Sequence, residues 1–235
     1  MTLKPKLYGL VGSPISGSLS PEMHNAAFSA LKIKASYKLF ELKREQLKIF
    51  LDTLVKKNIC GFNVTYPYKE VILGYLSSKN LAVSEIGAVN TVLVEKSGKL
   101  KGFNTDYLGF IRHLKELKVK PKKVAIIGAG GAAKAVCFAL AKMKVSELCI
   151  YDIDKFKSLS LFKRLNSSFS QTRFDVATRI EDLAIAKMDL LVNATPIGMH
   201  SGDPCLVNGH WLHKGLFVYD LIYNPAETKL ISLAK

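Results

Sequence analysis

The chain has 235 residues, 49% of them hydrophobic and 23% charged, a composition that suits one large globular domain or two modest ones. Its net charge of +15 would suit nucleic acid, but the lysines are spread along the chain without a basic arm. No nucleic-acid partner is therefore expected, and small anionic molecules fit the balance as well.

In chain order, KLYGLVG reads as a short apolar strand, followed by the polar loop SPISGSLS. The segment PEMHNAAFSALK places Met23, Ala26, Ala27, Ala30 and Leu31 at helical spacing, with Ser20 as the capping hydroxyl and Pro21 at the first helical position. ASYKLFEL is a second strand, REQLKIFLDTLVKK a second helix, and ICGFNV a third strand ended by Pro67. VNTVLVEKSGKLKGFNTD reads as a hairpin, or as two strands, turning at Ser97-Gly98. From Thr105 the pattern changes. DYLGFIRHLKEL puts Leu108, Ile111, Leu114 and Leu117 on one helical face, and after the break KVKPKK come VAIIGAGGAAKAVCFALAKM and ELCIYDID. That order of strand, glycine turn, helix and strand is the βαβ unit of a parallel sheet, which DLLVNATP and LFVYDLIYN extend. The expected fold class is α/β, with an N-terminal α/β domain over residues 1–104 and a Rossmann-like domain over residues 105–235.

The longest apolar region, residues 124–141, carries Lys134 and a glycine cluster, so it does not read as a membrane span, and no signal-peptide layout opens the chain. Cys60, Cys137, Cys149 and Cys205 form no CxxC pair and no metal-ligand spacing. Reduced thiols in a cytoplasmic protein are expected. The five histidines likewise lack ligand spacing, so no metal is expected, and Trp211 reads as packing.

The glycine turn, Gly128, Ala129, Gly130, Gly131 and Ala132, follows a buried-type strand and opens a helix. Glycine lets the chain turn tightly and lets backbone N–H groups approach a pyrophosphate, and the helix N-terminus adds a favourable field. The spacing departs from GxGxxG because Gly131 follows Gly130 directly and Ala133 takes the third glycine's place; dinucleotide binding rests on the strand–turn–helix context. An acidic residue at the next strand end accepts hydrogen bonds from ribose hydroxyls and repels a 2′-phosphate, and either Asp152 or Asp154 is placed to do so. Lys155, Lys157 and Lys163 lie close enough in sequence for one to reach a phosphate, yet the acidic end favours NAD over NADP.

Lys69 follows a strand-ending proline and sits beside Thr65 in NVTYPYK, a placement that favours a cleft lysine over a solvated one. Ser20 and Asp106 read as helix caps as readily as ligands, Asn90 as a turn residue, and Tyr223 as packing.

Seven ordered motifs, SLSPEMHNAAF, GFNVTYPYKE, IGAVNT, GFNTDYLGF, IGAGGAAKAV, NATPIGM and DLIYNP, together resemble the shikimate dehydrogenase family, which includes shikimate and quinate dehydrogenases. The resemblance runs across nearly the whole length. It implies an α/β substrate-binding catalytic domain and an NAD(P)-binding domain facing each other across a cleft, in a monomer or homodimer. The implied reaction is reversible reduction of 3-dehydroshikimate to shikimate, a step of aromatic amino-acid biosynthesis. By motif, Ser18 and Ser20 resemble the hydroxyls that hold the substrate carboxylate, and Thr65 and Asn90 the ligands of the ring hydroxyls. Lys69 and Asp106 resemble the catalytic pair, with Asp106 also orienting a ring hydroxyl, and Tyr223 resembles a substrate-contacting tyrosine. Gly128 to Ala132 match the pyrophosphate loop, while Thr195 and Leu221 fall where the family lines the cofactor site.

Four features refine the resemblance. Gly17 stands where the family often has histidine, YDID replaces the NRT-type segment whose arginine grips the 2′-phosphate of NADP, and the two serines of SLS point to shikimate rather than quinate. Family members also run on past the counterpart of Lys235, through return helices with a glycine–methionine turn and a glutamine. The alternative readings are an NAD-dependent quinate/shikimate dehydrogenase and a non-catalytic paralogue that binds a nucleotide or hydroxyacid.

Overall fold

Alternating small and large apolar residues make Lys6–Gly12 the first strand, β1, which pairs in parallel with β2 (Ala35–Glu41) on one side and β3 (Ile59–Val64) on the other. The computed structural model describes residues 5–235 and divides into two compact units, Met1–Thr105 and Asp106–Lys235. Helix α1 (Ser20–Ala30) joins β1 to β2, and α2 (Gln46–Thr53) joins β2 to β3. After β3 come the short α3 (Tyr68–Val71), β4 (Ser78–Lys79), α4 (Leu81–Ile86), β5 (Thr91–Val94) and β6 (Leu100–Phe103). The sheet order is β2-β1-β3-β5-β6-β4, with β3, β5 and β6 antiparallel to their neighbours in turn and Gly98 at φ +84° in the β5–β6 turn. Its core is built from Val11, Leu47, Phe50, Ile59, Phe62, Val64 and Tyr68, among others.

Two expectations for this unit need correction. Ser20 is the first helical residue of α1, and Leu19 holds the cap position without a side-chain hydrogen bond. The face expected to be buried is also exposed, with Met23 61% and Leu31 68% accessible. The helix leans on the sheet through His24, Asn25 and Phe28 instead. The His24 ring stacks on Tyr37 at 4.2 Å, Asn25 exchanges two hydrogen bonds with the Tyr37 backbone, and Phe28 lies 5.7 Å from the Tyr8 ring. Planar rings offer more contact area than the alanines that made up most of the expected stripe.

The second unit starts with α5 (Asp106–Glu116), β7 (Lys123–Ile127), α6 (Gly131–Lys142) and β8 (Glu147–Tyr151), then α7 (Lys155–Ser168), β9 (Arg173–Val176), β10 (Leu190–Asn193), β11 (Phe217–Asp220) and α8 (Lys229–Ala234). All pairings in its sheet, of order β11-β10-β7-β8-β9, are parallel. The chain winds outward from β7 to β9 and returns to the other side of β7, so the order switches between β7 and β10, where such sheets bind ligands at their carboxyl ends. Val124–Ile127 are buried on both faces, as strands covered on two sides must be. Helix α6 is buried from Ala133 to Ala141. On α5 the buried face is Phe110 and Leu114, with Tyr107 and Ile111 packed beside them, whereas Leu108 and Leu117 are exposed. The residues 107, 110, 111 and 114 follow the true i, i+3, i+4, i+7 stripe; the expected set drifts around the helix because it omitted the aromatic residues. Among the described residues no helix is long and apolar enough to cross a membrane.

Candidate active site

In the first unit, Thr65, Lys69 and Asn90 hang on one stapled piece of backbone just past the carboxyl end of β3. Thr65 N–H donates to the Val11 carbonyl at 2.9 Å, Val64 N–H to the Asn90 carbonyl at 2.9 Å, and Val89 N–H to the Lys69 carbonyl at 2.8 Å. Helix α3 is oriented by Tyr68, which is buried and donates its hydroxyl to the Leu42 carbonyl at 2.6 Å. Turning Tyr68 inward leaves the adjacent Lys69 half-buried rather than in the core. Among the described residues the Thr65 hydroxyl has no hydrogen-bond partner. Asn90 sits at a bend just before β5 and is more than a turn residue. It is buried, its Oδ1 accepts from Thr105 N–H at 2.9 Å and from the Thr91 hydroxyl at 3.0 Å, and its Nδ2 donates to Thr105 Oγ1 at 2.8 Å.

The serine loop lies against the same region. Ser13 N–H donates to the Tyr66 carbonyl at 3.0 Å and Ser18 N–H to the carbonyl of buried Ile15 at 3.0 Å. Ser18 Oγ donates to Ser20 Oγ at 3.0 Å, and Ser20 N–H donates back to Ser18 Oγ at 3.3 Å. Two hydroxyls held this close put two oxygens, each with one rotatable O–H, at one edge of the loop, where they can turn to a carboxylate.

In the second unit, Asp106 is the first residue of α5, so its carboxylate sits in the first turn, where the helix field favours negative charge. The glycine turn opens α6 at the switch point. Gly128 has φ +106°, and a Cβ there would meet the Ala194 carbonyl oxygen at 2.9 Å, so only glycine fits. A Cβ on Gly130, which caps α6, would meet nothing within 4 Å. That open space beside the first turn of a helix, whose leading N–H groups have no carbonyl to take within the helix, is the cradle a pyrophosphate needs. Asp152 braces the turn, its carboxylate accepting from Ala129 N–H at 2.6 Å and from Asp154 N–H at 2.8 Å. Asp154 instead caps α7, accepting from Phe156 N–H at 3.1 Å, and its other oxygen lies 3.7 Å from Lys157 Nζ. Of the two acidic candidates, Asp152 is the one at the turn. Ile153, between them, is 95% exposed.

Thr195 and Leu221 follow the carboxyl ends of β10 and β11 and are tied together by Asn193. Its Nδ2 donates to the Ile197 carbonyl at 3.1 Å and to Asp220 Oδ1 at 3.0 Å, and its Oδ1 accepts from Thr195 N–H and Oγ1 at 3.0 and 2.7 Å. Leu221 N–H donates to the Asn193 carbonyl at 3.1 Å. Asp220 also accepts from Ile222 N–H at 3.0 Å and from Thr228 Oγ1 at 2.7 Å, holding the loop that carries Tyr223, which is exposed rather than packed. Sequence reasoning did not single out Tyr37, Asn63, Thr91, Asn193 or Asp220. The signal available was a polar residue closing an apolar strand, as in FNV and LLVN.

Comparison with known proteins gives these features a lineage. The family model of the shikimate dehydrogenase substrate binding domain matches residues 10–92. A shikimate dehydrogenase (NADP(+)) of Caldanaerobacter subterraneus subsp. tengcongensis is 40% identical over 235 residues, covering 98% of this chain and 82% of that protein. The crystal structure of shikimate dehydrogenase from Aquifex aeolicus matches with a TM-score of 0.88 at 36% identity, over 100% of this chain and 84% of that one. A shikimate 5-dehydrogenase from Listeria monocytogenes, in complex with shikimate and NAD, matches with a TM-score of 0.85 at 35% identity, over 100% and 84% of the two chains. With the serine pair, the stapled lysine and the glycine turn all carried on a frame shared at this level, the chain belongs to the shikimate dehydrogenase family.

Proposed function

We propose that this chain is a shikimate dehydrogenase, an oxidoreductase that reversibly reduces 3-dehydroshikimate to shikimate with NAD or NADP. The observation that carries the reading is the hydrogen-bonded framework presenting Thr65, Lys69 and Asn90 together, in a chain that shares 40% identity with a relative of that name. In this reading residues 1–104 bind the substrate and residues 105–235 the dinucleotide. Ser18 and Ser20 hold the carboxylate, and Thr65 and Asn90 fix ring hydroxyls, with Tyr223 contacting the ring. A small-molecule hydroxyacid is thus the partner, and the protein works in the cytoplasm as a monomer or homodimer, which sedimentation of the purified protein distinguishes.

The glycine turn fits a dinucleotide, because Gly130 leaves open space where the pyrophosphate would approach. Gly128, Ala129, Gly130, Gly131 and Ala132 would hold the pyrophosphate, Asp152 the ribose, and Thr195 and Leu221 the walls of that site. When bound, the nicotinamide supplies or takes the hydride at the carbon bearing the reacting oxygen. Lys69 gives its ammonium proton to that oxygen in reduction and receives it in oxidation, and Asp106 shares the proton task while orienting a ring hydroxyl. A cation beside an oxygen that gains negative charge lowers the barrier.

Asp152 favours NAD. An acidic group at this strand end repels a 2′-phosphate, and YDID offers no guanidinium to receive one. The test is nicotinamide absorbance with shikimate or quinate against NAD and NADP. Shikimate oxidation with a higher kcat/KM for NAD supports the reading; turnover of neither hydroxyacid overturns it in favour of a binding protein.

A further inference from the structure

The Asn90 amide is held from a neighbouring strand as well as from its own. β3 and β5 run antiparallel with Asn63 directly opposite Thr91, which puts two polar side chains on one face of the sheet beside Asn90. Asn63 Nδ2 donates to Thr91 Oγ1 at 3.1 Å, and Thr91 Oγ1 donates to Asn90 Oδ1 at 3.0 Å. Behind them Tyr37, a buried residue of β2, donates its hydroxyl to Asn63 Oδ1 at 2.8 Å.

The direction of each bond follows from groups that have no choice. Asn63 Nδ2 also donates to the Asn90 backbone carbonyl at 3.2 Å, which can only accept, so the Asn63 amide has one orientation. The Thr91 oxygen therefore accepts from Asn63, and its single proton goes to Asn90 Oδ1. The orientation of Asn90 is set independently, because its Oδ1 accepts from Thr105 N–H at 2.9 Å, a group that can only donate. Both acceptor positions of that oxygen are then filled, one by each threonine, while Nδ2 gives one proton to Thr105 Oγ1 at 2.8 Å. Whatever lies beyond this framework meets Asn90 as a donor, through the second N–H of Nδ2.

Nothing else about Thr91 calls for a hydroxyl. Its backbone lies in the ladder between Asn63 on one side and Phe103 on the other, and its branched Cβ suits a strand. Valine would satisfy both, so the oxygen of Thr91 answers only to Asn63 and Asn90.

We propose that Thr91 is a positioning residue for substrate recognition. Its hydroxyl, turned by Asn63, fixes the Asn90 amide so that a ring hydroxyl is received by an N–H and never by the amide oxygen. The substrate oxygen at this point is thus an acceptor, and its own proton is directed elsewhere. This rests on the role given above to Asn90.

The test is steady-state kinetics of the full chain. Thr91→Val keeps the shape of the side chain and removes the hydroxyl, and it is expected to raise the KM for shikimate about fivefold, the effect of one hydrogen bond. Its kcat should stay within about twofold, since uniform binding is lost rather than transition-state stabilisation, and the KM for the dinucleotide should not move. Thr91→Ser restores the hydroxyl and should bring the shikimate KM to within about twofold of wild type. In an Asn90→Ala background Thr91→Val should change that KM by less than about twofold, because coupled groups are not additive. An equal rise in both backgrounds, or an unchanged shikimate KM alongside a fall in Tm, overturns the proposal and leaves Thr91 structural. If Asn90→Ala itself leaves the shikimate KM unchanged, the role of Asn90 fails first and takes this proposal with it. Thr91→Ala removes the same hydroxyl and carries the test if the valine variant does not fold; if neither folds, the hydroxyl serves the fold and the proposal falls.

Discussion

At the scale of single residues, Lys69 and Asp152 separate the two chemistries assigned to the chain. Replacing Lys69 with alanine should lower kcat by about 10²–10⁴-fold, the span that general acid–base help supplies, with only a modest change in the KM for shikimate. Turnover at the wild-type rate would remove Lys69 from the mechanism. Asp152→Asn with Ile153→Arg should raise the ratio of kcat/KM for NADP over NAD by at least about tenfold, because a repelling carboxylate is lost and a forked donor gained. An unmoved ratio would mean that the preference is set elsewhere. The cysteines differ in the same local way. Burial, followed by Asp175 and Glu147, pushes the Cys149 thiol up to about 11, and Cys137 is raised by full burial, whereas Cys205 is exposed. Alkylation of the native protein near pH 8, read by mass spectrometry, should mark Cys205 first and leave Cys137 and Cys149 unmodified. The residues proposed for the site were picked out in sequence by their match to family motifs, where the chemistry asks for particular side chains. The hydrogen bond from Tyr37 to Asn63 was not legible, since both residues sit inside ordinary strand patterns and lie far apart in the chain.

At the scale of elements, most strands and the helices with a strong apolar stripe were legible, and short or weakly striped elements were not. Helix α4 carries its own stop and start signals. Asn80 accepts from Val83 N–H at 2.9 Å and Gly87 closes the helix at φ +73°, but its six residues are too few for an apolar period to show. Helix α7 is longer, yet its buried side chains reduce to Ser158, Leu161 and Leu165, a weak stripe in a polar segment. One junction makes a pH prediction. Asp189, just before β10, accepts from both Lys122 and Lys123 N–H at 2.8 Å, joining the starts of β10 and β7. The hydrogen bond from Lys123 N–H, with that from Lys122, holds its carboxyl below the ordinary range against the opposing effect of burial. A folded value below the unfolded one, roughly 3.9, contributes stability that is present above the unfolded value and lost as pH falls through the folded one. Asp189→Ala should therefore lower Tm near pH 7, and the gap from wild type should close as pH falls through the lowered folded value. A gap that is unchanged at acid pH would assign the loss to packing.

At the scale of the whole molecule, each unit has its own sheet and buried cluster, as expected of an α/β chain of this length. The second unit is buried most continuously along β7 and α6, so its amides from Val124 to Ile127 and from Ala133 to Ala141 should be the slowest to exchange in deuterated solvent. Faster exchange there than in α1, which buries no side chain fully, would contradict this ranking of local stability. The order of strand, glycine turn, helix and strand made the α/β class and the parallel βαβ unit readable in advance. The face of α1 was not, because an exposed alanine stripe and a buried one have the same spelling.

Asn193 is fully enclosed, and both ends of its amide are committed within the chain to the loops that carry Thr195 and Tyr223. A genetic survey that classifies variants by ligand contact would file Asn193 as silent scaffold. Its substitution should instead appear among the null alleles, because two loops on neighbouring strands lose a common anchor at once.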